Sequence, residues 1–368
     1  FNSINWTLIF NLSTPIMNKI GIIGTANQCV FLAGIVEVFF IQPIFSAYSD
    51  QCTFKWGRRR IYIVGSAAFC VVGMLAVAFA AKIGEKIGGK NSKGATTGIF
   101  IVFILFWFAG ASVYGGPMRA IVSDNCPDSQ QVWMSNIYSI IGSATGITTS
   151  LLGTFKVYRY FKFADNETFL LVFGIILGVV MIAVTCIATP EEPLLEKPPD
   201  AKNPIVELIT TIKTIPRPAL IADIFFVMNS AMTYEKGCFE SDFYGKTIFK
   251  GENTLADTPE KKRYQDGLAF FFTVNLANSL ICFTYSWFNT FVVNKLGFKL
   301  SLFIGSILYT AGLILVMFIA QKYICMIIWI CLYGVPGCIA GSVPGAIVSL
   351  SVPSSTLGSH LAILNSFN

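Results

Sequence analysis

Ten apolar stretches of helical length dominate this chain, near 3–20, 27–48, 61–81, 98–122, 132–155, 168–188, 216–236, 267–292, 300–320 and 322–350, and an eleventh begins near 357. A bilayer crossing takes roughly 20 such residues. Backbone amides cannot stay unpaired in lipid, so each stretch is predicted to be a helix. Only 12% of the side chains are charged, about half the share of a soluble domain. The expected fold class is therefore all-α, a polytopic transmembrane protein. A single histidine, His360, leaves no histidine-based catalytic triad, and ten scattered cysteines without CxxC spacing leave neither a zinc site nor a disulfide framework. Nothing suggests an enzyme, a cofactor or a metal. The net charge of +6 comes without a basic, aromatic-interleaved patch, so nucleic acid is not an expected partner.

One linker stands out at 189–218, with seven prolines and the run Pro190-Glu191-Glu192-Pro193. Six apolar stretches precede it and five follow. This predicts a bundle over 1–188, a central cytoplasmic linker over 189–215 and a second, incomplete bundle over 216–368. The chain starts with Phe1 and stops inside an apolar stretch, so an excised segment lacking the last helix or so is expected. An internal repeat supports related halves. Pro117 is followed by Ala120-Ile121-Val122-Ser123, and Pro344 by Ala346-Ile347-Val348-Ser349, an offset of 226 residues between the fourth stretches of the two halves. Charge orients the chain poorly. With the linker inside, ten Lys and Arg lie in inside loops and fifteen outside, six of these in an expected long loop from Lys236 to Arg263. Asn166-Glu167-Thr168, in an expected outside loop, is a glycosylation sequon.

The sharpest motif joins the second and third stretches: Ser49-Asp50, five residues, then Trp56-Gly57-Arg58-Arg59-Arg60. An acid, a glycine turn and an arginine cluster tie two helix ends by charge-assisted hydrogen bonds, as a conformational gate requires. The motif resembles the loop of the sucrose-transporter branch of the glycoside–pentoside–hexuronide:cation symporters, within the major facilitator superfamily. Four further matches follow in order: Gln42-Pro43; Gly116-Pro117-Met118-Arg119-Ala120 with Asp124; Ser241-Asp242-Phe243-Tyr244-Gly245; and Gly334-Val335-Pro336 through Ser342-Val343-Pro344. The resemblance covers nearly the whole chain and implies two six-helix bundles around a central cavity.

Arg119 is the first substrate-binding candidate. An arginine inside a membrane run costs about 2.5–3.5 kcal/mol and marks a functional site by default, and the resembled family's Arg at this position is implicated in sugar binding. Phe108, Ser112, Gly115 and Arg119 fall on one helical stripe, and Ser112 leaves room beside the arginine. Asn229, Asn275 and Asn278 are polar residues in apolar runs that either bond a sugar hydroxyl or join helices. For proton coupling the candidates are Glu37, Glu240 and Asp242. Glu37 lies between Val36 and Val38, an apolar setting that penalises its charged form; a neutral Glu bonded to a neighbouring helix is the alternative. Glu240 and Asp242 match the family's acidic pair beyond the seventh helix, whereas its following Arg and Glu meet Lys246 and Thr247. The family's acid in the fourth helix is replaced here by Phe108, and a histidine of its plant members by Ala47. Asp50, Gly57, Arg58, Arg59, Arg60 and Asp124 are assigned to gating.

The resemblance implies a secondary active transporter of sucrose or a related glucoside by alternating access, with proton symport. A proton-independent facilitator and a transport-dead sensor or scaffold are the alternatives. The expected partners are the sugar, a proton and the lipid bilayer of the plasma membrane or an endomembrane, with the protein as a monomer.

Overall fold

A computed structural model of the chain describes residues 1–89, 92–125, 127, 130–161, 165–189, 191, 193–194, 203–253, 258–319, 321–352, 360–361 and 363–364; within these, the side chains of Ser123, Asp124, Gln131, Val132, Ser135, Pro204, Glu207, Met232 and Glu235 are not described. Twelve α-helices follow in order: α1 (Asn2–Ile20), α2 (Thr25–Asp50), α3 (Arg60–Ala78), α4 (Ala80–Gly88), α5 (Lys93–Asp124), α6 (Gln131–Thr154), α7 (Asn166–Ala188), α8 (Pro204–Lys213), α9 (Arg217–Asp242), α10 (Pro259–Leu296), α11 (Phe298–Phe318) and α12 (Lys322–Ser351). A 3-10 turn, Val157–Tyr160, follows α6, and a π-helical segment, Phe243–Ile248, continues α9. The described residues contain no strand.

All ten complete apolar stretches became helices, because lipid leaves the backbone no other solution. Among the described residues seven helices, α2, α3, α5, α7, α10, α11 and α12, are long and apolar enough to cross a membrane. α1, α6 and α9 are equally long and more polar; they carry Asn5, Asn11, Ser143, Ser150, Lys236 and Glu240. The alternation of spans places the α2–α3 loop, the α5–α6 loop and the linker on one side of the bundle. The turns after α1, α6 and α9 lie on the other.

Two expected loops are helical instead. The stretch from Lys236 to Arg263, read as a long outside loop, continues α9 to Asp242 and resumes as α10 at Pro259. Seven residues of the expected loop thus extend the span, since Gly237, Cys238 and Phe239 dilute the charges around them. Inside the linker, α8 starts at an N-cap whose Asn203 side chain accepts from the Ile205 amide at 3.0 Å, and it packs on α2. The sequon residue Asn166 is buried at the start of α7 rather than presented on a loop.

Helices in lipid gain little from apolar contact with one another, so close approach at small residues does the work. α3 and α5 make the tightest pair. A Cβ on Gly110 would lie 2.8 Å from the Cys70 amide nitrogen and the Ser66 carbonyl oxygen, and one on Gly73 would lie 2.9 Å from Trp107 Cα. Each helix thus seats its glycine on the other's backbone. After the linker the arrangement repeats: α12 packs against α11 and α10 as α5 packs against α3 and α2. The pairing parallels the 226-residue repeat, since α5 and α12 carry its two copies.

Gly110→Ala is expected to destabilise the protein by about 1–3 kcal/mol, the range for overpacking, because neither flanking group is the movable end of a side chain. A lower melting temperature of the purified protein in detergent is the readout, and an unchanged one would show that α3 and α5 separate freely.

Candidate functional site between the helices before and after the linker

Five helices enclose a cavity of about 330 Å³: α1 with Trp6, Phe10 and Asn11, α6 with Ser143 and Ser150, α9 with Lys236 and Glu240, α10 with Asn275 and Asn278, and α12 with Tyr333. The three more polar helices all contribute, which accounts for their composition: their polar faces turn inward, away from lipid. A smaller cavity of about 140 Å³ adjoins it, shares Phe10, Thr233 and Tyr333, and adds Asn229 and Tyr309.

Several polar atoms here are buried and unpartnered. Both amide atoms of Asn278 lack a hydrogen bond among the described residues, as do Ser150 Oγ, Glu240 Oε1 and Tyr309 Oη. Such orphans are costly in an interior and mark where a ligand or water has something to bond. Lys236 and Glu240 form an ion pair at 2.7 Å, with side chains only 6% and 5% exposed. Lys236 Nζ also lies 3.7 Å from the centre of the Tyr333 ring and 4.7 Å from that of Trp329, within cation–π range.

Polar contacts between helices from opposite sides of the linker bracket the cavity. Away from the linker, Asp242 is the hub: Asn18 Nδ2 donates to it at 2.6 Å, Tyr264 Oη at 2.8 Å and Lys246 Nζ at 2.7 Å, while Lys246 also donates to Asn18 Oδ1 at 3.1 Å. Thr14 and Asn253 add bonds to the Cys238 and Pro15 carbonyls. Towards the linker, Asn289 Nδ2 donates to Asn136 Oδ1 at 2.9 Å and to Ser342 Oγ at 2.8 Å, and Asn136 donates to Thr290. The first set contains charges, and the second consists of neutral groups.

The residues singled out in the sequence disperse among these features. Asn275 lines the main cavity, as does Glu240, and Asn229 lines the smaller one. Asp242 belongs to the bracket away from the linker. Ser112 faces away from both cavities, buried and donating to the Phe108 carbonyl at 2.6 Å. Arg119 is half-buried, with its guanidinium 4.3 Å from the centre of the Tyr138 ring, whose hydroxyl accepts from Asn2. Tyr138 and Asn2 each lie one helical turn from cavity residues, Gly142 and Trp6, on the linker side, so Arg119 sits just below the cavity floor rather than in its wall.

Phe108 is fully buried, packed at 2.8 Å on the site of a missing Cβ at Gly34 and facing Trp6 and Phe31. A bulky ring on α5 thus packs against a glycine on α2. Glu37, on the same helix, has one carboxylate oxygen buried without a partner.

The loop motif forms a compact ionic knot. Arg59 pairs with Asp50 at 2.8 Å, and Glu191, from the start of the linker, accepts from the Arg59 and Arg60 amides at 2.8 and 3.3 Å. A carboxylate at the N-terminus of α3 meets the free amides and the positive end of the helix dipole. Gly57 sits at φ +126°, and a Cβ there would strike the Glu191 carboxylate. Arg60 reaches the Thr189 carbonyl at 2.5 Å. Arg58 lies in the same loop, while the side chain of Asp124 lies outside the described residues.

Sequence reasoning passed over Lys236, Tyr333 and Glu191, whereas Asn278, singled out with Asn229 and Asn275, does line the main cavity. The first was hidden by ending the seventh span at that residue; a Lys and a Glu at i, i+4 within a longer run were the available signal.

The architecture is that of a membrane carrier with a cavity between two sets of helices, and the comparisons give its family. The profile of the Major Facilitator Superfamily matches residues 1–368, and the chain belongs to that superfamily. Among curated proteins it is 25% identical to sucrose transport protein SUC4 of Arabidopsis thaliana, covering 97% of this chain and 77% of that protein. It is 24% identical to sucrose transport protein SUT5 of Oryza sativa subsp. indica, over 67% of this chain and 51% of that protein. Solved structures share the fold at lower identity: the nucleoside transporter NupG (13% identical, TM-score 0.57, all of this chain and 85% of that one) and the D-xylose–proton symporter (13%, 0.57, all and 85%).

Loosening the charged bracket is expected to open the cavity away from the linker. Asp242→Asn should speed labelling of the cavity-lining Cys282 by a membrane-impermeant thiol reagent, measured against a Cys282→Ser control; equal labelling rates would mean that Asp242 does not hold that end closed.

Proposed function

We propose that this protein carries a sugar across its membrane by alternating access. The observation that carries this reading is the cavity between the two sets of helices, where buried amide, hydroxyl and carboxylate groups wait without partners while cross-bundle bonds bracket both ends. A polyhydroxylated solute supplies donors and acceptors together, matching an orphaned amide and a carboxylate oxygen. Trp6 and Tyr333 add the aromatic surface on which pyranose rings pack. The sucrose transport proteins among the relatives point to sucrose or a related glucoside as cargo. In this reading 1–188 and 216–368 rock as two bodies about the cavity, joined by a cytoplasmic linker over 189–215.

Arg119 takes part as the sugar passes the cavity floor on the linker side. Its planar guanidinium, already stacked on Tyr138, presents donors in a fixed fork that a lysine cannot imitate. Arg119→Lys is therefore expected to raise the half-saturating sugar concentration severalfold while leaving melting temperature unchanged.

Proton symport is the favoured mechanism, with Glu37 as the carrier of the proton: it is the carboxyl on α2 left with a buried, unpartnered oxygen next to the helix that lost its acid at Phe108. A second reading, a proton-independent facilitator, is favoured by Phe108 itself, since an aromatic ring packed on Gly34 leaves no ionisable group there. Labelled sucrose uptake into vesicles separates the two. Accumulation above equilibrium only under an imposed pH gradient supports symport, equilibration without regard to the gradient supports the facilitator, and binding without entry sinks both. Under symport, Glu37→Gln should abolish proton-driven accumulation and spare sugar exchange; intact proton currents in that variant would remove Glu37 from the mechanism.

A further inference from the structure

Lys236 and Glu240 lie one helical turn apart on α9, and they supply the only charges among the described residues lining the main cavity. The ammonium has the Glu240 carboxylate at 2.7 Å on one side and the faces of Tyr333 and Trp329 on the other. Its charge is balanced within the protein, and its remaining surface is covered by rings. The carboxylate is served by half. Oε2 meets Lys236, whereas Oε1 is buried and unpartnered. Asn278, 5% exposed and lining the same cavity, offers an unpartnered carbonyl oxygen and an unpartnered amide nitrogen. An ionised carboxylate only accepts hydrogen bonds, and an amide both accepts and donates. Together they match a hydroxyl pair, one group donating to Glu240 and its neighbour bonding Asn278.

A buried carboxylate without a counter-charge is strongly disfavoured. A carrier that places one in its cavity must bring in a cation with each cycle or keep one permanently. We propose that Lys236 is a tethered counter-ion that takes the place of a mobile cation at this position, freeing Glu240 to act with Asn278 as the acceptor site for a sugar hydroxyl. The identity of the ligand rests on the sugar-transport reading above. The charge balance does not. Glu240 accordingly serves as a fixed binding group, and any proton that drives transport travels on another residue. The titratable neighbours of the pair are Tyr244 at the end of α9, Cys282 on α10, Tyr309 on α11 and Tyr333 on α12. α1 and α6 present no titratable side chain to this cavity.

The test uses the whole chain in proteoliposomes with labelled sucrose, comparing wild type, Lys236→Met, Glu240→Gln and the double variant across the neutral pH range and with different alkali cations outside. Lys236→Met should acquire a dependence on pH or on the cation beyond any that the wild type shows, as a mobile ion replaces the tethered one. The double variant should lose that added dependence. Both variants that remove Glu240 should bind sucrose about 10-fold more weakly, the scale of a lost hydrogen bond to a charged group. Identical profiles for Lys236→Met and wild type, persistence of the dependence in the double variant, or wild-type affinity in Glu240→Gln would each overturn the proposal. Should the wild type neither bind nor take up sucrose, the sugar reading fails by itself. Melting temperature against pH then decides the charge balance: a slope gained in Lys236→Met and absent from the double variant supports it, and no gained slope refutes it.

Discussion

Lipid gives helices almost nothing for packing apolar surface against apolar surface, and from this constraint the structure follows. Adhesion must come from backbones brought close at small residues or from polar groups that find one another. The chain divides these means by location. Glycines seat α3 on α5 within the helices before the linker. Between the helices on either side of the linker, α6 and α10 run along each other joined by polar pairs at both ends: Asn136 with Asn289 near the linker, and Lys156 with Asp266 at 2.5 Å away from it. Contacts within the first set are steric, whereas many of those between the sets are hydrogen bonds, which can be exchanged for bonds to water.

The same division explains where the charges went. Several ionisable groups in the bilayer region have been given a partner. Lys236 has both a carboxylate and two rings; Arg119 has a tyrosine face; Asp242 has three donors. The two brackets differ in kind, one containing an ion pair and the other built of amides and hydroxyls, so salt and pH act on them unequally. Phe108 and Gly34 form the opposite case, an apolar contact in which an aromatic ring packs where a glycine leaves room.

The spans were legible because a membrane enforces long apolar runs, and the ionic loop was legible because Asp50, Gly57 and Arg59 are close in sequence. An arginine within an apolar run announced Arg119, but its partner Tyr138 lies on another helix and leaves no local trace. Ser112 illustrates the limit of a helical-wheel argument: it shares a stripe with Phe108, and that stripe faces α2 rather than the cavity. Lys236 escaped notice because a hydropathy boundary treats the first charge as the end of a span, although a lysine with a glutamate four residues later carries its own neutralisation. α8 is too short to register as a span, and its signal was the Asn203-Pro204 start.

Glu191 belongs to the segment leaving α7, yet its carboxylate closes the first turn of α3. Wherever α3 travels, the root of the connecting segment travels with it. The knot therefore works as a leash, coupling the third and sixth spans into one mechanical unit. A protein of this design is tuned at the anchorage of its connecting segment as much as at the place where cargo rests.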